Sequence, residues 1–193
     1  MRLPAPLPTA ARAAPARGLS LVELILFIVV VGAALAGTLR VFTQSTAASA
    51  DPLLRRQALA IAESLLEEIE LLPVTFCDAD DANLESAASA AGCASLPDAI
   101  GPEAGEGRFA TPQFDHVDDY HGYAMNGIVD LTGAAVTGLA GYSASVSVAA
   151  AALGSITAGS GDALRITVTV TGPGSTSVSL DGYRTRHAPN SAL

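Results

Sequence analysis

Lysine is absent from this chain: all ten of its basic side chains are arginines, set against nineteen acids and a formal net charge of −9 at pH 7. Arg2, Arg12 and Arg17 stand before Gly18 in a stretch without an acid, so the remainder sets seven arginines against nineteen acids, a charge of −12. A body this acidic has no cluster of cations for phosphate, which excludes nucleic acid as a direct partner. Catalytic signatures are missing as well: the sequence has no nucleophile elbow, phosphate loop, zinc-protease helix or dinucleotide fingerprint. Serine, histidine and aspartate all occur, but in a serine-rich chain their presence says nothing about a triad. The expectation is a non-enzyme with no catalytic residue and no cofactor. Cysteine is limited to Cys77 and Cys93. A zinc site would need two further ligands at suitable spacing. In an exported chain the pair is expected to form a disulfide, worth about 3 kcal/mol for a loop of this size on the chain-entropy account.

What the chain does have is a concentration of apolar residues near its start. From Leu19 to Leu39 it reads LSLVELILFIVVVGAALAGTL, with Glu23 as the one charge. As a helix this stretch would extend about 32 Å, enough to cross a bilayer. The arginines before it place the extreme N-terminus in the cytoplasm by the positive-inside rule, and the body on the opposite side. Pro4, Pro6, Pro8 and Pro15 make the leading segment a poor helix and mark it as a removable tail. Glu23 is the anomaly, because an unpaired carboxylate in an apolar span costs about 2 to 3 kcal/mol even on lenient scales. It snorkels to the headgroups or it finds a partner.

Arg17-Gly18-Leu19-Ser20-Leu21-Val22-Glu23 resembles the leader and cleavage site of type IV prepilins and pseudopilins. The resemblance implies that prepilin peptidase cuts between Gly18 and Leu19 and methylates the new amine of Leu19. It also implies that Glu23, then the fifth residue, meets the terminal amine of a neighbouring subunit during assembly, so that each buried charge neutralises the other. Leu19 stands where phenylalanine is usual in that family, and Ser20 where threonine is commoner; both differences are conservative. The rival is an ordinary signal peptide cut after Ala48-Ser49-Ala50, before Asp51. The apolar span exceeds a normal core of about 7 to 15 residues, and the small-residue site lies far beyond its end.

Asp51 and Pro52 read as the N-cap and first turn of a second helical stretch. Leu54, Ala58, Ile61, Leu65, Ile69 and Leu72 recur at spacings of three and four, with Arg55, Arg56, Glu63, Glu67 and Glu70 on the other side, and the helix is expected to end before Pro73. A helix continuous from Leu19 to Leu72 would extend about 80 Å, with Gly37 and Pro52 as bend points. Residues 73–112 carry both cysteines and no sustained apolar period, and read as a surface excursion. Three stretches then alternate at a period of two: Tyr142 to Val148, Leu164 to Val170 and Val178 to Asp181. Gly172-Pro173-Gly174-Ser175 turns the last two into a hairpin. The expected fold is α+β, with an N-terminal helix packed on an antiparallel sheet that has one buried face. In parts, this gives a leader over 1–18, a membrane and assembly helix over 19–50, and a periplasmic domain over 51–193. Within the last fall the helix 51–72, the loop region 73–112 and the sheet region 113–187.

DPLLRRQALAIAESLLEEI, FDHVDDYHGY at Phe114 to Tyr123 and LDGYRTRH at Leu180 to His187 resemble the D-type minor pilins of mannose-sensitive haemagglutinin pili. That implies a minor pilin anchored in the inner membrane, with prepilin peptidase, other pilin subunits and the assembly machinery as partners and the pilus as its final location. A pseudopilin of type II secretion is the alternative within the class. A periplasmic ligand-binding or adhesive domain on a membrane tether is the alternative outside it.

Metal chemistry has two weak footholds. His116, Asp118, Asp119 and His121 gather imidazoles and carboxylates within six positions, but ligand types without geometry define no site. Asp78, Asp80, Asp81 and Asn83 have a calcium-loop flavour, yet lack the glycine and the distant bidentate glutamate of an EF-hand. The bland reading is that these acids hold turns while Phe114, Tyr120 and Tyr123 pack on the sheet.

Overall fold

The computed structural model describes Gly18 and residues 20–190, without the side chains of 44–51. The leader before Gly18 and the expected first mature residue, Leu19, lie outside the described residues. One α-helix, α1, runs over Leu21–Glu70, and the chain divides into two compact units between Ala47 and Ala48. In the first unit, residues 21–43 form a span of mean hydropathy 2.5 in which no residue is buried against the described parts of the chain. Thr38 and Thr43 donate their hydroxyls to the carbonyls of Leu35 and Arg40, both at 2.9 Å, so these polar groups are satisfied inside the helix itself, as an apolar solvent requires.

Asp51 and Pro52 do not open a second helix. Pro52 lies inside α1, where its ring removes one backbone donor without ending the helix. Ala48-Ser49-Ala50 likewise falls within α1. The helix ends at Glu70, two residues short of the expected Leu72. In the second unit the apolar stripe does what its spacing predicts: Ala58, Ile61, Ala62, Leu65 and Ile69 are buried, and Leu54 and Leu72 are half-buried against the same core. Complete burial of a side chain such as Ile69 contributes about 1.5 to 3 kcal/mol.

Four antiparallel strands form a meander in sequence order: β1 (Ala124–Asn126), β2 (Ser143–Ala150), β3 (Ala163–Gly172) and β4 (Thr176–Thr185). The three longer strands are those expected from alternation; β1, three residues long, was not expected. Register places Val146 opposite Val168 and Val170 opposite Val178, and the inward side chains Ala144, Val146, Val148, Ile166, Val168 and Val170 join the helix stripe in one core. Gly172-Pro173-Gly174-Ser175 makes the β3–β4 turn as expected. Gly172 is required for packing rather than for its backbone angles, since a Cβ there would run into the ring of buried Tyr142.

Residues 73–112 are more than a surface excursion. Cys77 and Cys93 are joined by a disulfide, and Cys77, Leu84 and Ala87 form a small core of their own, with Phe76 packed against it. Asp81 organises this lobe by accepting four backbone N–H groups, from Asn83, Ala94, Ser95 and Leu96, at 2.7 to 2.9 Å. Those bonds hold its carboxyl far below the usual carboxylate range. The lobe is tied to the sheet by Arg186, which donates to the Thr75 carbonyl and to Asp162, each at 3.0 Å, and stacks over Phe76.

Candidate functional site

Glu23 sits in the first turn of α1, where the positive end of the helix dipole favours a carboxylate. Its neighbours Leu21, Val22, Leu24 and Ile25 are all exposed, so the acid stands in an apolar surface that no described residue covers. Among the described residues this is the one helix long and apolar enough to cross a membrane.

The other unusual constellation lies in the body. A short antiparallel bridge between Cys77 and Pro97 brings Asp78 beside the 96–98 segment; Asp78 N–H donates to Leu96 and Asp98 N–H to Phe76, each at 3.0 Å. A single 3-10 turn over Asp118–Tyr120 brings the Asp118 and Asp119 carboxylates inward, and both are buried. Glu103 and Glu106 approach from the intervening loop. One carboxylate oxygen from each of Asp78, Glu103 and Glu106 lies within 4.8 Å of the other two. Asp78, Asp115 and His116 meet the same limit, so Asp78 is common to both groups.

Little in this cluster balances the charge. Arg108 is paired with Glu68, and Arg186 with Asp162, while His116 contacts only Asp115 as an ion pair. Burial, and then repulsion from Asp119 and other neighbouring carboxylates, pushes Glu103 and Glu106 each up to about 7. Burial and then the opposing carboxylates of Asp118, Asp119 and Glu103 raise Asp98 well above the ordinary range. Asp115 and Asp119 are raised by burial too. Asp119 offers one oxygen to the N–H groups of Asp115 and His116, at 2.9 and 2.7 Å, while its Oδ1 has no partner.

The four residues 116, 118, 119 and 121 are therefore not one ligand set. The His116 ring is buried between Thr75 Oγ1 and Asp115, and His121 is exposed, with Nδ1 accepting the Val148 N–H at 3.1 Å. The 78–83 set also separates: Asp81 is committed to backbone donors, Asn83 donates to Gly92, Asp80 is exposed, and only Asp78 enters the cluster. Glu103 and Glu106 carried no sequence signal beyond being acidic in a glycine-rich loop.

No family model, no curated protein and no solved structure matches the chain.

Proposed function

We propose that this chain is a minor subunit of a type IV pilus of the mannose-sensitive haemagglutinin type. It is made as a prepilin, cut by prepilin peptidase between Gly18 and Leu19, and methylated at Leu19. It then rests in the inner membrane with its N-terminus cytoplasmic until the assembly machinery draws it into the filament. The observation that carries this reading is Glu23: a carboxylate in the first turn of an uncovered apolar helix, five residues beyond Gly18. Cleavage after Gly18 creates an amine on Leu19 of each copy, and in a filament that amine and a neighbour's Glu23 neutralise each other away from water. The helix stripe packed on an antiparallel sheet, and a disulfide suited to an oxidising compartment, support the same reading.

The test is incorporation into filaments. Tagged full-length chain should be recovered with sheared pili. Glu23→Ala should lower that recovery by about tenfold or more, as loss of one member of a buried charge pair implies, while the amount in the membrane stays the same. Recovery that is indifferent to Glu23→Ala would favour a tethered binding domain, and association with a type II secretion apparatus instead of pili would make the chain a pseudopilin.

A further inference from the structure

We propose that Asp78, Glu103 and Glu106 hold a calcium ion, with the Asp119 carboxylate beside them, and that this ion fastens the disulfide-bonded end of the 73–112 region to the loop that carries Glu103 and Glu106. The first ground is convergence: carboxylate oxygens from two separate stretches of chain lie within 4.8 Å of one another. The second ground is independent of proximity. Asp78 is 2% exposed, and while its Oδ1 accepts the Asp80 N–H at 2.7 Å, its Oδ2 has no donor. Glu103 Oε2 and Asp119 Oδ1 are buried without a donor in the same region. Buried carboxylate oxygens are costly to leave unpaired, and those of Asp78, Glu103 and Glu106, gathered within 4.8 Å, repel each other besides. A cation resolves both penalties at once. Among the described residues no ion pair reaches Asp78, Glu103, Glu106 or Asp119: the chain has no lysine, and Arg108 and Arg186 are paired with Glu68 and Asp162.

The donor set selects the ion. The three ligands are all carboxylates, and the one nearby imidazole, His116, has both ring nitrogens bonded, to Thr75 and Asp115, so the nitrogen and sulfur ligands that zinc prefers are not on offer. Calcium accepts several carboxylates in loose geometry, whereas magnesium demands a tighter octahedron and keeps its waters. An ion here links Asp78, next to the Cys77–Cys93 disulfide, to Glu103 and Glu106. The proposal does not depend on the pilin reading.

The test uses the full chain in detergent, stripped with EGTA and exchanged into chelator-free buffer, and follows thermal unfolding as calcium chloride is added. At about a hundredfold excess over Kd the midpoint should rise by about 5 to 10 °C for a chain of this size. The double variant Glu103→Gln/Glu106→Gln should form the disulfide, show wild-type circular dichroism and lose the shift. No shift up to about 10 mM calcium, above the range of the weak extracellular calcium modules, would overturn the proposal. So would a shift that survives in the folded double variant, or an equal shift with the same concentration of magnesium.

Discussion

Arg108 lies against Glu68 through two parallel hydrogen bonds, Nε to Oε1 and Nη2 to Oε2, both at 2.7 Å. The Arg108 side chain is 6% exposed and that of Glu68 18%, so this is a buried, forked pair rather than a surface contact. Tyr120 also donates its hydroxyl to Glu68, at 2.6 Å, and Arg108 donates to the Tyr123 hydroxyl at 3.2 Å. Burial and the bond to Glu68 hold the Tyr120 phenol above its usual range, so it remains a donor. The pair thus joins α1 to the aromatic group of Phe114, Tyr120 and Tyr123, whose rings meet edge to face.

Removing one partner leaves the other charge buried. Arg108→Ala should destabilise the body by about 3 to 5 kcal/mol, whereas replacing both members with apolar residues of similar volume should cost much less. Urea unfolding of the single and double variants measures the difference, and additive losses would show that the pair is not coupled.

Gly172 and Tyr142 provide a second packing test. Gly172→Ala places a methyl against the Tyr142 ring, which is buried and bonded through its hydroxyl to Gln57 at 2.9 Å, so the ring has little freedom to move. A loss of about 1 to 3 kcal/mol is expected from overpacking. Gly159→Ala, which meets nothing within 4 Å, is the control and should be near neutral.

Much of the fold was legible because periodicity reports burial directly. Ala58, Ile61, Leu65 and Ile69 recur as one helix face, and Val146, Val168 and Val170 alternate as strand residues do. The sequence leaves the helix's continuity at Asp51-Pro52 open because that pair has the chemistry of a helix opening, while a proline already inside a long helix costs one hydrogen bond and does not end it. β1 is too short to show a period. The acidic cluster was only half visible: Asp78 and Asp119 drew notice for their neighbours in sequence, but the residues that meet Asp78, Glu103 and Glu106, come from a loop more than twenty positions away. Glu68 carries no signal of its own in the sequence, and only the return of Arg108 distinguishes it.

Acidity should act on the body through Asp98. Its folded-state pKa is raised by burial and by the facing carboxylates of Asp118, Asp119 and Glu103, so the folded chain retains a proton that the unfolded chain releases above its ordinary 3.8. Stability from this group is therefore present at low pH and is lost as pH rises from about 4 through neutrality. Asp98→Asn, which stays uncharged, should match the native chain near pH 4 and melt at higher temperature than it near pH 8. Melting curves in EGTA at both pH values measure this, and a variant less stable than the native chain at pH 8 would refute it.

Asp81 should behave in the opposite sense. Its carboxylate is stabilised by four backbone N–H groups, so its contribution is present above the ordinary carboxylate pKa and is lost only as the pH falls well below it. Asp81→Asn removes acceptor capacity and charge together, and should lower the melting temperature at neutral pH and expose the Cys77–Cys93 disulfide to faster reduction by dithiothreitol. An unchanged reduction rate would show that Asp81 does not organise the lobe.

The pilin reading is tested most directly by the mass of the mature N-terminus, measured on full-length protein isolated from membranes of a cell that makes prepilin peptidase. The account predicts a chain that begins at Leu19 and carries one additional methyl group on its amine. A chain that begins at Asp51, or one that retains residues 1–18, would contradict it.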